Sequence, residues 1–342
     1  MRFLAIALLI CVTVLGFQPA SAEGFSYTVT SVCDSAHSVS KYSVFANSGE
    51  ISLLIPGLKE GWVPQGITWL PVQNWFLFSG YHSDGRPSSL IAVDAQSNKI
   101  VKVVRLRNVN GSYYTGHAGG VCATEKDIYV ANNHRLYRLS MDTFLNLPAE
   151  AACAFEQEIG VPNNASYCSY SNGMLWVGEF QYGISYATDP SHHLKFGREK
   201  SQAWLCGYKL DNGVISTRAL SSFNAVPDVI FATTERIQGM AVYQDKVWLS
   251  QSYGCANPSS LLSYAYPCGN DPDMYVTVGG TEVPVWFLVR SRIAGVMICP
   301  PMSECLCTAG NGMYILFESG AEKYMDPSNQ SYSPMDRIFR ID

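Results

Sequence analysis

The sequence predicts an all-β fold, specifically a β-propeller, and three observations carry that prediction. Residues 64–81 read PQGITWLPVQNWFLFSGY and residues 237–253 read IQGMAVYQDKVWLSQSY. Both give Gln-Gly, a short strand, a polar turn, a Trp-bearing strand and a closing Tyr, which is a repeated β-hairpin. Second, predicted strands fall into successive groups of four whose second members carry Phe76, Tyr129, Trp176, Trp248 and Tyr314 at corresponding places. Third, no long apolar pattern of period 3.6 occurs, so few helices are expected. An all-β sandwich also spaces strands regularly, but it does not repeat the same glycine and aromatic positions.

Taken in order, strand-like pieces at 27–32 and 51–55 precede the first unit, whose strands are predicted at 66–70, 75–80, 90–94 and 100–106. The second unit is predicted at 120–123, 128–131, 136–139 and, more loosely, 155–160. The third takes 166–170, 174–180, 204–210 and 214–220, with a turn at Asp211-Asn212-Gly213, whose residues tolerate positive φ. The fourth takes 239–243, 247–251, 261–266 and 283–289, and the fifth 305–309, 313–318 and 337–341. The fifth unit therefore lacks a strand, and a propeller would be left with an open edge. The spare strand at 51–55 is expected to pair with 337–341 and close the ring. Five blades are preferred; a sixth built partly from residues 24–48 is the alternative.

The N-terminus reads as a signal peptide over residues 1–22: Arg2, an apolar run at 3–17, and Ala20-Ser21-Ala22 as the cleavage signature. Residues 23–342 then form a single propeller domain of a secreted protein. The apolar run is short for a membrane span, so no membrane insertion is expected, an uncleaved anchor being the alternative. Eleven cysteines, one of them inside the leader, suggest disulfides in an exported chain. Cys255 and Cys268 flank what reads as one loop and are expected to be bonded to each other. Cys305-x-Cys307 lacks a matching second pair, so no zinc site is expected.

A formal charge of −5 with no basic cluster argues against nucleic acid. Asn110, Asn164 and Asn329 begin N-glycosylation sequons. Walker, dinucleotide, zincin, EF-hand and nucleophile-elbow motifs are all missing, and no cofactor is expected.

The Pro64-Gln65-Gly66-Ile67 and Ile237-Gln238-Gly239-Met240 starts resemble the Pro-Glu-Gly starts of gluconolactonase-like and strictosidine-synthase-like propellers. That resemblance implies the fold. In gluconolactonase-like members the Glu ligates a catalytic metal; here Gln65 and Gln238 replace it, and no metal is expected.

In a propeller, first strands start and second strands end on one face, around the mouth of the central channel. This converges Gln65, His117 and Gln238, with Arg236 beside them, on Tyr81, His82, Asn133, Glu179, Gln181, Gln251, Tyr253 and Glu318. Amides, phenols and imidazoles around a concavity suit a hydroxyl-rich ligand, because they both donate and accept. His117, in a glycine-rich stretch, is the sharpest candidate; the alternative is a histidine bracing local backbone. His192 and His193 lie in a polar insertion and are expected to be solvated.

Three functions compete. The first is a binding module for a polar small molecule or glycan at the channel mouth. The second is a carbohydrate-active enzyme. As a uronate lyase it would use His117 or Tyr253 as base, with Arg236 and Gln65 stabilising an enolate. As a glycosidase it would use Glu179 and Glu318 as acid and base. The third is a scaffold whose protein partner docks on the insertion at 184–203.

Overall fold

The structure, a computed structural model, describes residues 27–342 except 219, 221, 222, 327, 329 and 330. The expected signal peptide and Asn329 lie outside the described residues. The fold is all-β with a β-propeller arrangement of antiparallel sheets. Among the described residues no helix is long and apolar enough to cross a membrane.

The first sheet runs Trp62–Leu70, Trp75–His82, Ser89–Asp94 and Ile100–Arg107, with Glu150–Ala154 added in parallel at its edge. The second runs Gly120–Ala123, Asp127–Asn132, Arg135–Ser140 and Gln157–Gly160. The third starts Tyr167–Ser171, Met174–Gly178 and Ala203–Asp211; the fourth is Ile237–Tyr243, Lys246–Gln251, Ser259–Ala265 and Ile293–Cys299. The last comprises Ser303–Ala309, Gly312–Phe317 and Arg337–Ile341, with Gly49–Leu54 at its edge. Ile51 faces Phe339 and Glu50 faces Arg340 in that edge pair. A second tie lies beside it: buried Asp336 accepts hydrogen bonds from the backbone N–H of Val32 and Cys33 and from the hydroxyls of Ser31 and Ser35.

The first strands of successive sheets touch one another in chain order, and the last touches the first. Glycine makes this approach possible. A Cβ on Gly66 would lie 2.4 Å from the Val121 nitrogen, one on Gly120 2.5 Å from the Cys168 nitrogen, and one on Gly239 2.7 Å from the Cys305 Cα. The repeated glycine is thus a requirement of strand-to-strand packing. Between the sheets sit large apolar side chains; Trp176 stacks on Phe231 with ring centroids 4.6 Å apart, both fully buried. Each such side chain contributes about 3 kcal/mol through area removed from water.

Four sequence expectations need correction. Residues 27–32 form no strand, and the segment after them holds the short helices Ser35–Ser40 and Ser43–Ala46. In the third sheet the fourth strand is Val229–Thr233, while the 214–220 segment contributes only Val214–Ile215. Thr281–Leu288, expected in the fourth sheet, joins the third instead, parallel to Val229–Thr233. The reason is burial: VIFAT is buried at all five positions and needs a partner on each side. Finally, Cys255 and Cys268 are not bonded to each other, and no disulfide joins any of the ten described cysteines. Strand Ser259–Ala265 runs between the two. At roughly 3.3 Å per residue it separates them far beyond the roughly 4.4–6.8 Å between Cα atoms that a disulfide spans.

Candidate functional site

The site is built by three irregularities at the same place in three sheets. The pairing of first and second strands shifts register between Pro64 and Gly66, between Ile237 and Gly239, and between Ser303 and Leu306. The residues taken up in these bulges include Gln65, Gln238 and Glu304. A bulge bends the strand and re-aims its side chain. All three line one cavity of about 480 Å³ at the end of the molecule where first strands start.

Glu304 sits beside Glu318, the residue that follows the second strand of its own sheet, and the two carboxyl groups hydrogen-bond to each other. The flanking sheets each supply an amide: Gln65 Nε2 donates to Glu318 Oε2 at 2.8 Å, and Gln238 Nε2 donates to Glu304 Oε1 at 3.1 Å. Tyr324 donates its hydroxyl to Glu318 at 3.1 Å. Burial first, then the charge of Glu318 and their mutual hydrogen bond, hold the Glu304 pKa well above the usual carboxylate range. Burial also pushes Glu318 up, to about 7, against the opposing hydrogen bonds of Tyr324 and Gln65 and the charge of Lys323. Two carboxylates in contact resist ionising together, so once Glu318 ionises, near pH 7, the pair keeps one proton, on Glu304.

A second group lies across the cavity. Lys323 donates to the Tyr81 hydroxyl at 2.8 Å, and Tyr81 stacks on His117 with centroids 4.5 Å apart. His117 is open to the cavity but set deep among protein groups; burial, and then the Lys323 charge, lower its pKa to about 4. It is a neutral imidazole at pH 7. The remaining wall includes Asn133, at the tip of a two-residue turn with Asn133 and His134 both at positive φ, as hairpin turns of this length favour. Phe180, Tyr186 and Tyr253 form an aromatic lip.

Gln65, Tyr81, His117, Asn133, Gln238, Tyr253 and Glu318 therefore come together, while five other candidates do not. Glu179 is buried behind the wall; it accepts from the Asn164 and Trp204 backbone N–H groups and pairs with His192 Nδ1 at 2.8 Å. It braces the 184–203 insertion and cannot serve as the partner of Glu318. His192, expected in solvent, is buried and stacked on Trp204. His82 Nε2 is hydrogen-bonded to the Tyr27 hydroxyl at 2.6 Å, and both are buried. Arg236 spans a strained joint at φ 65°, its N–H bonded to Gln181 and its carbonyl to Ser252, while its guanidinium pairs with Glu235 and covers Tyr182. Gln181 and Gln251 are spent on the Gly183 and Glu235 carbonyls. The sequon residue Asn164 lines the cavity, whereas Asn110 is exposed on a loop.

Sequence reasoning missed Glu304, Lys323 and Tyr324. A signal for Glu304 existed: it precedes Tyr314 by ten residues, as Gln238 precedes Trp248. At the bulge positions where the resembling propellers carry a metal-ligating Glu, the two glutamines instead donate hydrogen bonds to carboxyl groups. Among the described residues no group of three or more His, Cys, Asp and Glu is arranged to hold a metal ion.

No protein-family model matches the chain, and no curated protein matches it in sequence. Among solved structures the chain is similar to the glutaminyl cyclase of Myxococcus xanthus, with 12% identity, 86% of this chain and 94% of that chain covered, and a TM-score of 0.43. It is also similar to a glucose dehydrogenase-like oxidoreductase of Thermus thermophilus, with 11% identity, 86% and 99% covered, and a TM-score of 0.40. The hydrazine synthase of Kuenenia stuttgartiensis gives 12% identity, 74% and 55% covered, and a TM-score of 0.37.

Proposed function

We propose that this is a secreted, five-bladed propeller that holds a polar ligand, foremost a carbohydrate, at the mouth of its channel. The ring reading is supported by the circular contact of the five first strands and by the pairing of Gly49–Leu54 with Arg337–Ile341. One observation carries the ligand reading. Hydrogen-bonding side chains from four sheets, joined by Asn164 and Ser166 from the loop that leads into the third, converge on a single cavity of about 480 Å³, and the bulges that aim three of them recur at matching positions. That volume lies within the roughly 300–1,000 Å³ of small-molecule sites. A sugar satisfies both parts of the wall: its hydroxyls donate and accept, and its C–H face covers an aromatic ring such as Tyr253.

A glycan array followed by titration calorimetry tests the proposal. Saturable binding of a sugar, weakened at least ten-fold in Gln238→Ala and in Tyr253→Ala, the latter with an unchanged melting temperature, supports it. Failure to bind any arrayed glycan, or binding indifferent to both substitutions, would remove the carbohydrate.

A further inference from the structure

We propose that Glu304 and Glu318 are a general acid–base pair, and that the channel mouth performs proton-transfer catalysis on its ligand in addition to binding it. Three structural facts lead there. The two carboxyl groups hydrogen-bond directly to each other, each receives one amide donor from a different neighbouring sheet, and both face an open cavity large enough for a small molecule. The cross-bracing fixes which oxygens remain for a ligand. The lopsided surroundings divide the labour: Glu318 faces Lys323 and accepts from Gln65 and Tyr324, so it holds the negative charge, and Glu304 keeps the proton.

Contact between the carboxyl groups also selects the reaction. Glycosidic hydrolysis needs its two carboxyl groups about 5 Å or more apart, on either side of the scissile bond. A hydrogen-bonded pair serves instead where one small centre must gain and lose a proton together, as in adding water to the carbonyl carbon of an ester or amide. Glu318 takes a proton from water as the water oxygen bonds to the carbonyl carbon, and Glu304 gives its proton to the carbonyl oxygen. On collapse the carbon–heteroatom bond breaks, the leaving atom receives the proton from Glu318, and Glu304 recovers its own from the tetrahedral intermediate. Water is consumed, an acid and an alcohol or amine are released, and the pair returns to its starting state. The substrate class is therefore a polar ester or amide.

The pair's competence can be read without knowing the substrate by using 1,2-epoxy-3-(4-nitrophenoxy)propane. The Glu318 carboxylate attacks an epoxide carbon, the ring carbon–oxygen bond breaks, and the Glu304 proton passes to the freed oxygen, leaving a hydroxyalkyl ester on Glu318. Peptide mass mapping at pH 7 should find that ester on Glu318, formed at least ten-fold more slowly in Glu304→Gln and not at all in Glu318→Gln. Should Glu304→Gln fail to fold, the wild-type pH profile decides. It should rise as Glu318 ionises near pH 7 and fall when Glu304 loses its proton at higher pH. No labelling of Glu318, labelling indifferent to Glu304, or protection by micromolar calcium would overturn the proposal, the last by making the carboxylates a cation site. Labelling without sugar binding would keep the pair and remove the carbohydrate; sugar binding without labelling would do the reverse.

Discussion

The two repeats that read almost alike, 64–81 and 237–253, present the same residues to the cavity and use them differently. Gln65 and Gln238 occupy matching bulges on either side of the last sheet. Gln65 is nearly inaccessible and supports the charged member of the pair; Gln238 is half-buried and supports the protonated one. Their closing tyrosines diverge further. Tyr81 is locked between Lys323 and His117, while Tyr253 stacks on Tyr182 at 3.8 Å and keeps more than a third of its surface open at the lip. A repeat thus supplies position, and the neighbouring sheet decides role.

Substitutions at the glycines should break the comparison most severely. Gly66→Ala and Gly239→Ala would each drive a Cβ into backbone, at 2.4 and 2.7 Å, and should each cost about 3 kcal/mol in urea unfolding. Equal losses would show that both repeats carry the ring alike. A loss under about 0.5 kcal/mol at either site would contradict the packing account.

The glutamines should then separate. Gln65→Leu removes a hydrogen bond to a charged group and should cost about 2 kcal/mol, whereas Gln238→Leu removes one to a neutral acid and should cost about 1 kcal/mol. The reverse order would mean that the proton sits on Glu318.

The pH dependence of stability follows from opposite shifts. Glu318 is raised from 4.5 to about 7, so between those values the folded chain keeps a proton that the unfolded chain releases, and stability falls as pH rises. His82 and His117 are lowered from 6.5 to about 4, so across that range their contribution falls as pH drops. Comparing wild type with Glu318→Gln isolates the first effect. The wild type should lose ground by up to about 1.4 kcal/mol per pH unit across the Glu318 window, and a difference independent of pH would refute the raised carboxyl.

The smallest effect belongs to His117. Its ring faces the cavity and stacks on Tyr81, so His117→Ala should change stability by no more than about 0.5 kcal/mol. A loss above about 2 kcal/mol would make it a structural brace.

What the sequence disclosed tracks the repeat. Gln65, Gln238, Tyr81 and Tyr253 were legible because hairpins of the same pattern put them at the same end of their strands. Glu304 was harder to see because Glu-Cys stands where the other two starts have Gln-Gly. Lys323 and Tyr324 were invisible because they lie on the short 3-10 turn Glu322–Tyr324, inside a connection without periodic pattern. The assignment of Thr281–Leu288 to its sheet, and the separation of Cys255 from Cys268, depend on which strands pair across the chain, and local spacing does not carry that information.

The central claim is that the carboxyl pair of the channel mouth keeps one proton above the pH at which Glu318 ionises, and isotope-edited infrared spectroscopy of glutamate-labelled protein reads it directly. At pH 8, where Glu318 as well as ordinary glutamates is ionised, the wild type should show a protonated carboxyl C=O band that disappears in Glu304→Gln. A spectrum holding only carboxylate bands at that pH, in wild type and variant alike, would contradict it.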